Sequence, residues 1–301
     1  MSHSHEHSAS TAPRRALTVA LAITATVFFV EFVGGYISGS MALMADSMHM
    51  LSDSAGLLIA VIGTLLSQRA STAVATYGFA RAEVLTALVN AVSVIAVTVL
   101  IVLEAFSRLH DPAPVDTGAM MVFAVVGLVA NAASAAMLHR HKEESINVHG
   151  AFLHVIVDLL GSIAVLAAGA VMAVTGFTPA DAIASLIIAA LVVPRAWQLL
   201  RQSLRVLLEQ APQGFAAQRI KPALRAIDGV IDVHDIHVWS LGGSDVVVTA
   251  HLVAHEDVPR GPLLDAAQKR LTDLGVDHPT IQVELPGHTD HERACGVSLG
   301  R

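Results

Sequence analysis

The chain has 301 residues, 54% of them hydrophobic and only 14% charged, with a mean hydropathy of +0.62. Soluble domains carry about 25% charged residues, so a bilayer is the simplest reason for long stretches without charge. A net charge of -7 excludes a basic surface for nucleic acid, and the single cysteine, Cys295, excludes both an internal disulfide and a thiolate-rich metal site.

Residues 1–15 form a polar arm in which His3, His5 and His7 alternate. Such an arm either captures zinc loosely or is a dispensable tail, since a His-rich tract is only a compositional hint. It lacks the basic region, apolar core and small-residue cleavage site of a signal peptide, so none is expected. Six apolar stretches follow within residues 16–208, at Ala16–Ser38, Met41–Gln68, Ala82–Arg108, Thr117–His139, Asn147–Thr175 and Pro179–Leu200. Each has the length that a helix needs to cross a bilayer, about 20 residues. Only Gly39 and Ser40 separate the first two, which are therefore antiparallel neighbours.

An even number of spans places both ends of the chain on one side. Arg14, Arg15, Arg69, Arg81, Arg140, Lys142, Arg201 and Arg205 all fall on that side. The opposite loops carry Arg108 beside Asp111, Asp116 and Asp181. Basic residues collect in the cytoplasm, so both termini are expected there, in a multi-pass protein of the cell membrane.

Past residue 208 the composition turns to Gly, Pro, Asp and His. Residues 209–291 read as a soluble domain, with 292–301 as a flexible tail. A helical pattern at Phe215–Ile227 precedes strand patterns at Val230–Trp239 and Asp245–Val253. A helical pattern at Leu263–Leu274 and a strand at Thr280–Leu285 follow. The order αββαβ predicts a small α+β domain with helices on one face of a sheet. A domain of this size has a modest core, which dimerisation would supplement.

Two spans share one motif. The second contains His49-x3-Asp53 and the fifth His154-x3-Asp158. On a helix, residues i and i+4 lie on the same face. Two such helices facing each other offer two imidazoles and two carboxylates, a four-ligand set that zinc accepts as a tetrahedron. An unpaired Asp at a helix centre costs about 2.5 to 3.5 kcal/mol, so two at similar depth call for a shared cation. Asp46 sits nearer the outer end of its helix, where it is either a solvated carboxylate or part of a pathway. Glu31 is placed toward the outer surface. Asn90 and Asn131 are expected to hydrogen-bond between helices, and His139 and His141 to be polar residues of the membrane edge.

At these residues the chain resembles the cation diffusion facilitator family. The resemblance is carried by Glu31–Asp53 (EFVGGYISGSMALMADSMHMLSD), Thr76–Val84 (TYGFARAEV), His154-x3-Asp158 and His234–Trp239 (HDIHVW), and it spans the chain from the first helix to about Leu285. It implies a homodimer in the lipid bilayer. Each subunit would have six transmembrane helices and a cytoplasmic domain of ferredoxin-like fold, and would exchange cytoplasmic divalent metal for protons. By residue-to-residue carry-over His49, Asp53, His154 and Asp158 match the transport site. Histidine in both motifs resembles zinc-selective members, whereas manganese-type members carry Asp in place of the first His, as the oxygen preference of that metal would require. Some relatives have a further site in the second-to-third loop. Here Ser67–Ala82 holds neither His nor Asp, so none is expected, and Tyr77, Arg81 and Glu83 read as loop and interface residues.

In the tail, His234 and His251 on adjacent strands and Glu284 on a third form a candidate cytoplasmic metal site, of the kind the family often has. His237 falls on the opposite strand face from His234 by the period of two and reads as structural. Asp277 and His278 are weaker candidates, and Val238 and Trp239 read as core. The leading expectation is a proton-coupled zinc exporter that is not an enzyme and has no cofactor, with zinc as substrate and regulatory ligand. The alternatives are a cadmium, cobalt or ferrous-iron exporter of the same fold, an intramembrane metalloenzyme, and a haem protein using His49 and His154. The enzyme needs an open coordination position that four protein ligands do not leave. The haem reading gives the paired carboxylates no role.

Overall fold

In the computed structural model, the described residues are 11–67, 71–140, 146–242 and 245–288, with the side chains of 11–17, most of 52–67, and 146, 147 and 150 outside the description. The histidine arm, His141, Cys295 and the side chain of Asp53 therefore lie outside the described parts. Six long helices lead: α1 (Thr11–Ser38), α2 (Met41–Ser67), α3 (Arg81–His110), α4 (Thr117–His139), α5 (Ile146–Thr175) and α6 (Pro179–Leu207). Helix α7 (Ala217–Arg225), strands β1 (Val230–Ser240) and β2 (Val246–Ala254), helix α8 (Arg260–Asp273) and strand β3 (His278–Glu284) follow. This is an α-helical membrane protein with a C-terminal α+β domain. Among the described residues, five helices are long and apolar enough to cross a membrane. Helix α6 runs seven residues beyond the apolar stretch, to Leu207. Hydropathy marks where a helix leaves the hydrocarbon. Residues 201–207 contain no Gly or Pro to stop the helix itself.

The chain divides into two compact units, residues 1–58 with 89–198 and residues 59–88 with 199–301. In the first, Leu43, Met50, Met120, Leu138 and Val165 are fully buried. The outer faces are apolar: Val122, Val126 and Val129, on one face of α4, are all exposed. A soluble bundle would bury such a stripe, but a lipid-facing helix has no reason to.

The turn between α1 and α2 fixes where α2 begins. Gly39 takes φ 71°, a left-handed conformation that glycine adopts without strain. Helix α2 is then capped from α6. The carboxylate of Asp181 accepts the Ser40 hydroxyl (2.5 Å), the Met41 N–H (2.7 Å) and the Ala42 N–H (3.2 Å). These are donors that the first helical turn cannot satisfy internally, and the negative charge suits the helix N-terminus. Arg108 of α3 donates to the Gly39 carbonyl at 2.6 Å. The acidic and basic residues of this loop end thus lock the start of α2, and with it the position of every later residue on that helix.

In the second unit the sheet order is β1-β2-β3, with β1 antiparallel and β3 parallel to β2. Val246, Val248, Ala250 and Leu252 of β2 pack with Ile220 and Leu224 of α7 and Ala267 and Leu271 of α8. By alternation, Thr249 and His251 point to the other face. Val238 is in this core, but Trp239 is only half-buried: adjacent strand residues face opposite ways, so the core expected for both holds one.

Candidate metal sites

The spacing of four places His154 and Asp158 on one face of α5, and His49 of α2 meets them. The Asp158 carboxylate is buried and faces both rings, Oδ1 lying 3.8 Å from His49 Nε2 and Oδ2 3.7 Å from His154 Nε2. The two rings stand edge to face with centroids 6.0 Å apart. The rings face different oxygens of this one carboxylate, so the three side chains bracket a position for an ion and must draw together to enclose it with bonds near roughly 2.0 Å. Of the four residues singled out in the sequence, three come together. The fourth, Asp53, follows His49 by one helical turn on α2, and its side chain is outside the description.

Three further residues at this centre are not marked by the motif. Arg195 of α6 donates from Nη1 to His154 Nδ1 at 3.2 Å. A neutral imidazole accepting at Nδ1 carries its hydrogen on Nε2, the nitrogen that faces Asp158. Asp46 and Glu31 are the other two, and the readings of Asp46 as a solvated carboxylate and of Glu31 as lying toward the outer surface need correction. Asp46 is 1% exposed and Glu31 0% exposed. Each occupies space left by a glycine on a facing helix, Gly161 for Asp46 and Gly127 for Glu31, so neither reaches the outer surface. Asn131 of α4 does bridge helices, donating Nδ2 to Ser162 Oγ of α5 at 3.4 Å. Asn90 and His49 line a cavity of about 130 Å³ with Ser93, Thr98 and apolar residues of α2, α3 and α6.

The second unit brings together the three tail candidates. His234 is opposite His251 in the register, and Glu284 reaches both, through Oε2 to His234 Nε2 at 3.0 Å and Oε1 to His251 Nδ1 at 2.7 Å. One ligand atom from each lies within 4.8 Å of the others. The Glu284 side chain is 1% exposed, and Gln282 donates to its Oε1 at 2.8 Å. Two imidazoles and a buried carboxylate fit a zinc-type ion, with a fourth position left open.

A bulge adds a residue that alternation hides. The register shifts between His234 and His237, and His237 pairs with Thr249, two residues from His251. One extra residue on β1 therefore returns His237 to the face of His234 instead of the opposite one. Asp235, in the bulge with φ 47°, takes His237 Nε2 at 3.1 Å and lies 3.9 Å from His251 Nε2. It is a second carboxylate beside the trio. Asp277 and His278 are elsewhere: Asp277 accepts the Val246 N–H at 2.8 Å to open β2, and His278 is exposed.

Comparison with known proteins identifies the family. The family model of the cation efflux transmembrane domain matches residues 17–208, and that of the cation efflux protein cytoplasmic domain matches residues 212–285. The chain is 42% identical to the zinc transporter ZitB of Shigella flexneri over 100% of its length and 97% of the relative's. It is 37% identical to the metal cation efflux system protein CzcD of Cupriavidus metallidurans, over 94% of this chain and 90% of that one. With the cadmium, cobalt and zinc/H(+)-K(+) antiporter of Bacillus velezensis it shares 31% identity over 96% of this chain and 93% of the other. Taken with a helical bundle that encloses ligand-type side chains and a cytoplasmic-type domain that carries its own, these matches establish that the chain is a membrane transporter of the cation efflux family and not an enzyme.

Proposed function

We propose that the protein exports zinc from the cytoplasm in exchange for protons, binding the ion between α2 and α5. The observation that carries this reading is the buried Asp158 carboxylate set between two histidines of different helices. A carboxylate shut away from water needs a cation or a proton, and here the neighbouring groups are ligands for a divalent ion. Zinc coordinates the lone pair of a neutral imidazole. Loading His154 at Nε2 therefore requires the ring hydrogen to move to Nδ1, so the Arg195 contact with that nitrogen must break as the ion enters. Asp53 completes the set. The similarity to a zinc transporter and to a cadmium, cobalt and zinc antiporter supports zinc first and cobalt and cadmium as competitors.

The reading further takes the protein as a homodimer of the cell membrane with both termini cytoplasmic. Its segments are the arm (1–15), the membrane domain (16–208), the cytoplasmic domain (209–291) and the tail (292–301). The direct test is zinc flux into sealed vesicles holding the purified protein. Zinc should accumulate only with protein present and in a saturable way. A flux that does not saturate, or that is equal in protein-free vesicles, would refute transport through this site.

Selectivity follows from ligand softness. His49→Asp replaces a borderline nitrogen by a hard oxygen. The variant is expected to lose about tenfold in preference for zinc over manganese, equivalent to about 1.4 kcal/mol, read in competition assays across metals. An unchanged metal ranking would show that His49 does not set selectivity.

In the cytoplasmic domain His234, His251 and Glu284 would hold a regulatory zinc ion. His251→Ala or Glu284→Ala is expected to move the zinc concentration for half-maximal flux several-fold while leaving the maximal rate. A ligand can bias two conformations only by its differential affinity for them. Calorimetry on the full protein should show a zinc-binding step lost in both variants. If the isotherms match the wild type, the trio is not a zinc site.

A further inference from the structure

Two buried carboxyl groups of the first unit, Glu31 and Asp46, border the site between α2 and α5 without belonging to its histidine–aspartate ligand set. None of the four oxygens of Glu31 and Asp46 has a hydrogen-bond partner. The two groups lie beside one another, and Ser162 lies beside both. Glu31 Oε1 rests on Gly127 and Asp46 Oδ1 on Gly161, positions where any Cβ would collide with the carboxylate. A fifth oxygen comes from α4. Asn131 is fully buried and holds Ser162 through its amide nitrogen, while its Oδ1 has no partner. Ser134, on the same face of α4 one turn further on, is fully buried and its hydroxyl is also without a partner.

Their depth follows from helix geometry. Asp46 precedes His49 by three residues on α2, and Ser162 follows Asp158 by four on α5. Helix α2 starts, and α5 ends, at the end of the bundle where Asp181 caps α2. The oxygen groups therefore form a layer about 5 Å from the His49–His154–Asp158 layer, displaced toward that end of the bundle.

We propose that Glu31 and Asp46, with Asn131 Oδ1 and Ser162 Oγ, form a second divalent-cation site one helical turn beyond the transport site, from which the ion is released. This rests on the reading of His49, His154 and Asp158 as the transport site. Two carboxylates buried side by side repel each other and lack water, and a doubly charged cation relieves both costs. The surrounding groups supply oxygen lone pairs with no cationic side chain among them. An all-oxygen set holds zinc less tightly than one containing two imidazoles, so the ion gains nothing by remaining there and passes on.

The test is a zinc titration of the full-length purified protein, in wild type and in the Glu31→Gln/Asp46→Asn variant. Both changes keep side-chain shape and remove charge. The wild type should show tight and weak classes of zinc, and the double variant should lose one weak zinc per protomer with the tight classes unchanged. Those unchanged classes also report that the variant is folded. Asp158→Ala should do the reverse, losing a tight zinc and keeping the weak one, so the two readings fail separately. If the double variant folds poorly, Glu31→Gln alone should weaken the weak class at least tenfold. Weak binding of wild-type strength and number in either folded variant overturns the second site and leaves the pair as carboxyls that share a proton.

Discussion

Asp158→Ala is expected to abolish zinc flux while leaving an inserted, folded protein. Asp158 is the one described carboxylate that faces both histidines. Removing it deletes a ligand and the charge that offsets a divalent ion. Breaking a buried, compensated charge pair costs about 3–5 kcal/mol, which corresponds to a loss of affinity on the order of a hundred- to a thousandfold. Asp158→Asn keeps the shape and one oxygen donor but not the charge, so it should fall between the two in zinc affinity and still transport poorly. Flux in vesicles, with size-exclusion and thermal-melting controls on the same preparations, measures both. Wild-type flux in a well-folded Asp158→Ala protein would remove this site from the mechanism. The apolar surroundings make the variant tolerable to the fold, because an alanine there leaves no carboxylate to be kept from water.

The second large effect is on coupling. Zinc efflux should accelerate with an inward proton gradient and stall without one. Zinc needs both imidazoles neutral, so each histidine that is protonated in the empty site must release a proton when the ion arrives. The sign follows directly: lowering the pH on the loading side favours the protonated rings and weakens zinc binding, and raising it strengthens binding. Free imidazole titrates near pH 6.5. With two ligating rings, apparent affinity should fall by up to about a hundredfold for each pH unit below the range in which they titrate. Exchange of one divalent ion for protons also keeps the charge of the buried site nearly constant, which lowers the cost of moving it between the two sides. The measurement is zinc flux in sealed vesicles at several imposed pH differences with the membrane potential clamped. Flux that ignores the pH difference, in vesicles shown to maintain it, would replace the exchanger by a uniporter or channel.

What was legible in the sequence is what depends on neighbours along the chain. Hydrophobic length located the long helices, and the spacing of four placed His154 over Asp158. Alternation of side chains found β1 to β3, and the tail trio was proposed because three strands could each present one ligand. Such signals are local, since helix and strand periods repeat every few residues.

The tertiary structure decided the rest. Whether Glu31 and Asp46 meet water depends on Gly127 and Gly161, about a hundred residues away, leaving room for them; a hydropathy profile sees only that each is acidic and off-centre. Arg195 belongs to no motif, yet it reaches His154 on another helix. His237 was assigned to the wrong face because an extra residue in β1 breaks the period of two, and a bulge leaves no fixed trace in composition. Asp235 came into view only with that bulge. In each case the deciding quantity is a distance between segments remote in sequence, set by how helices and strands pack, and packing is a property of the whole fold that no local pattern contains.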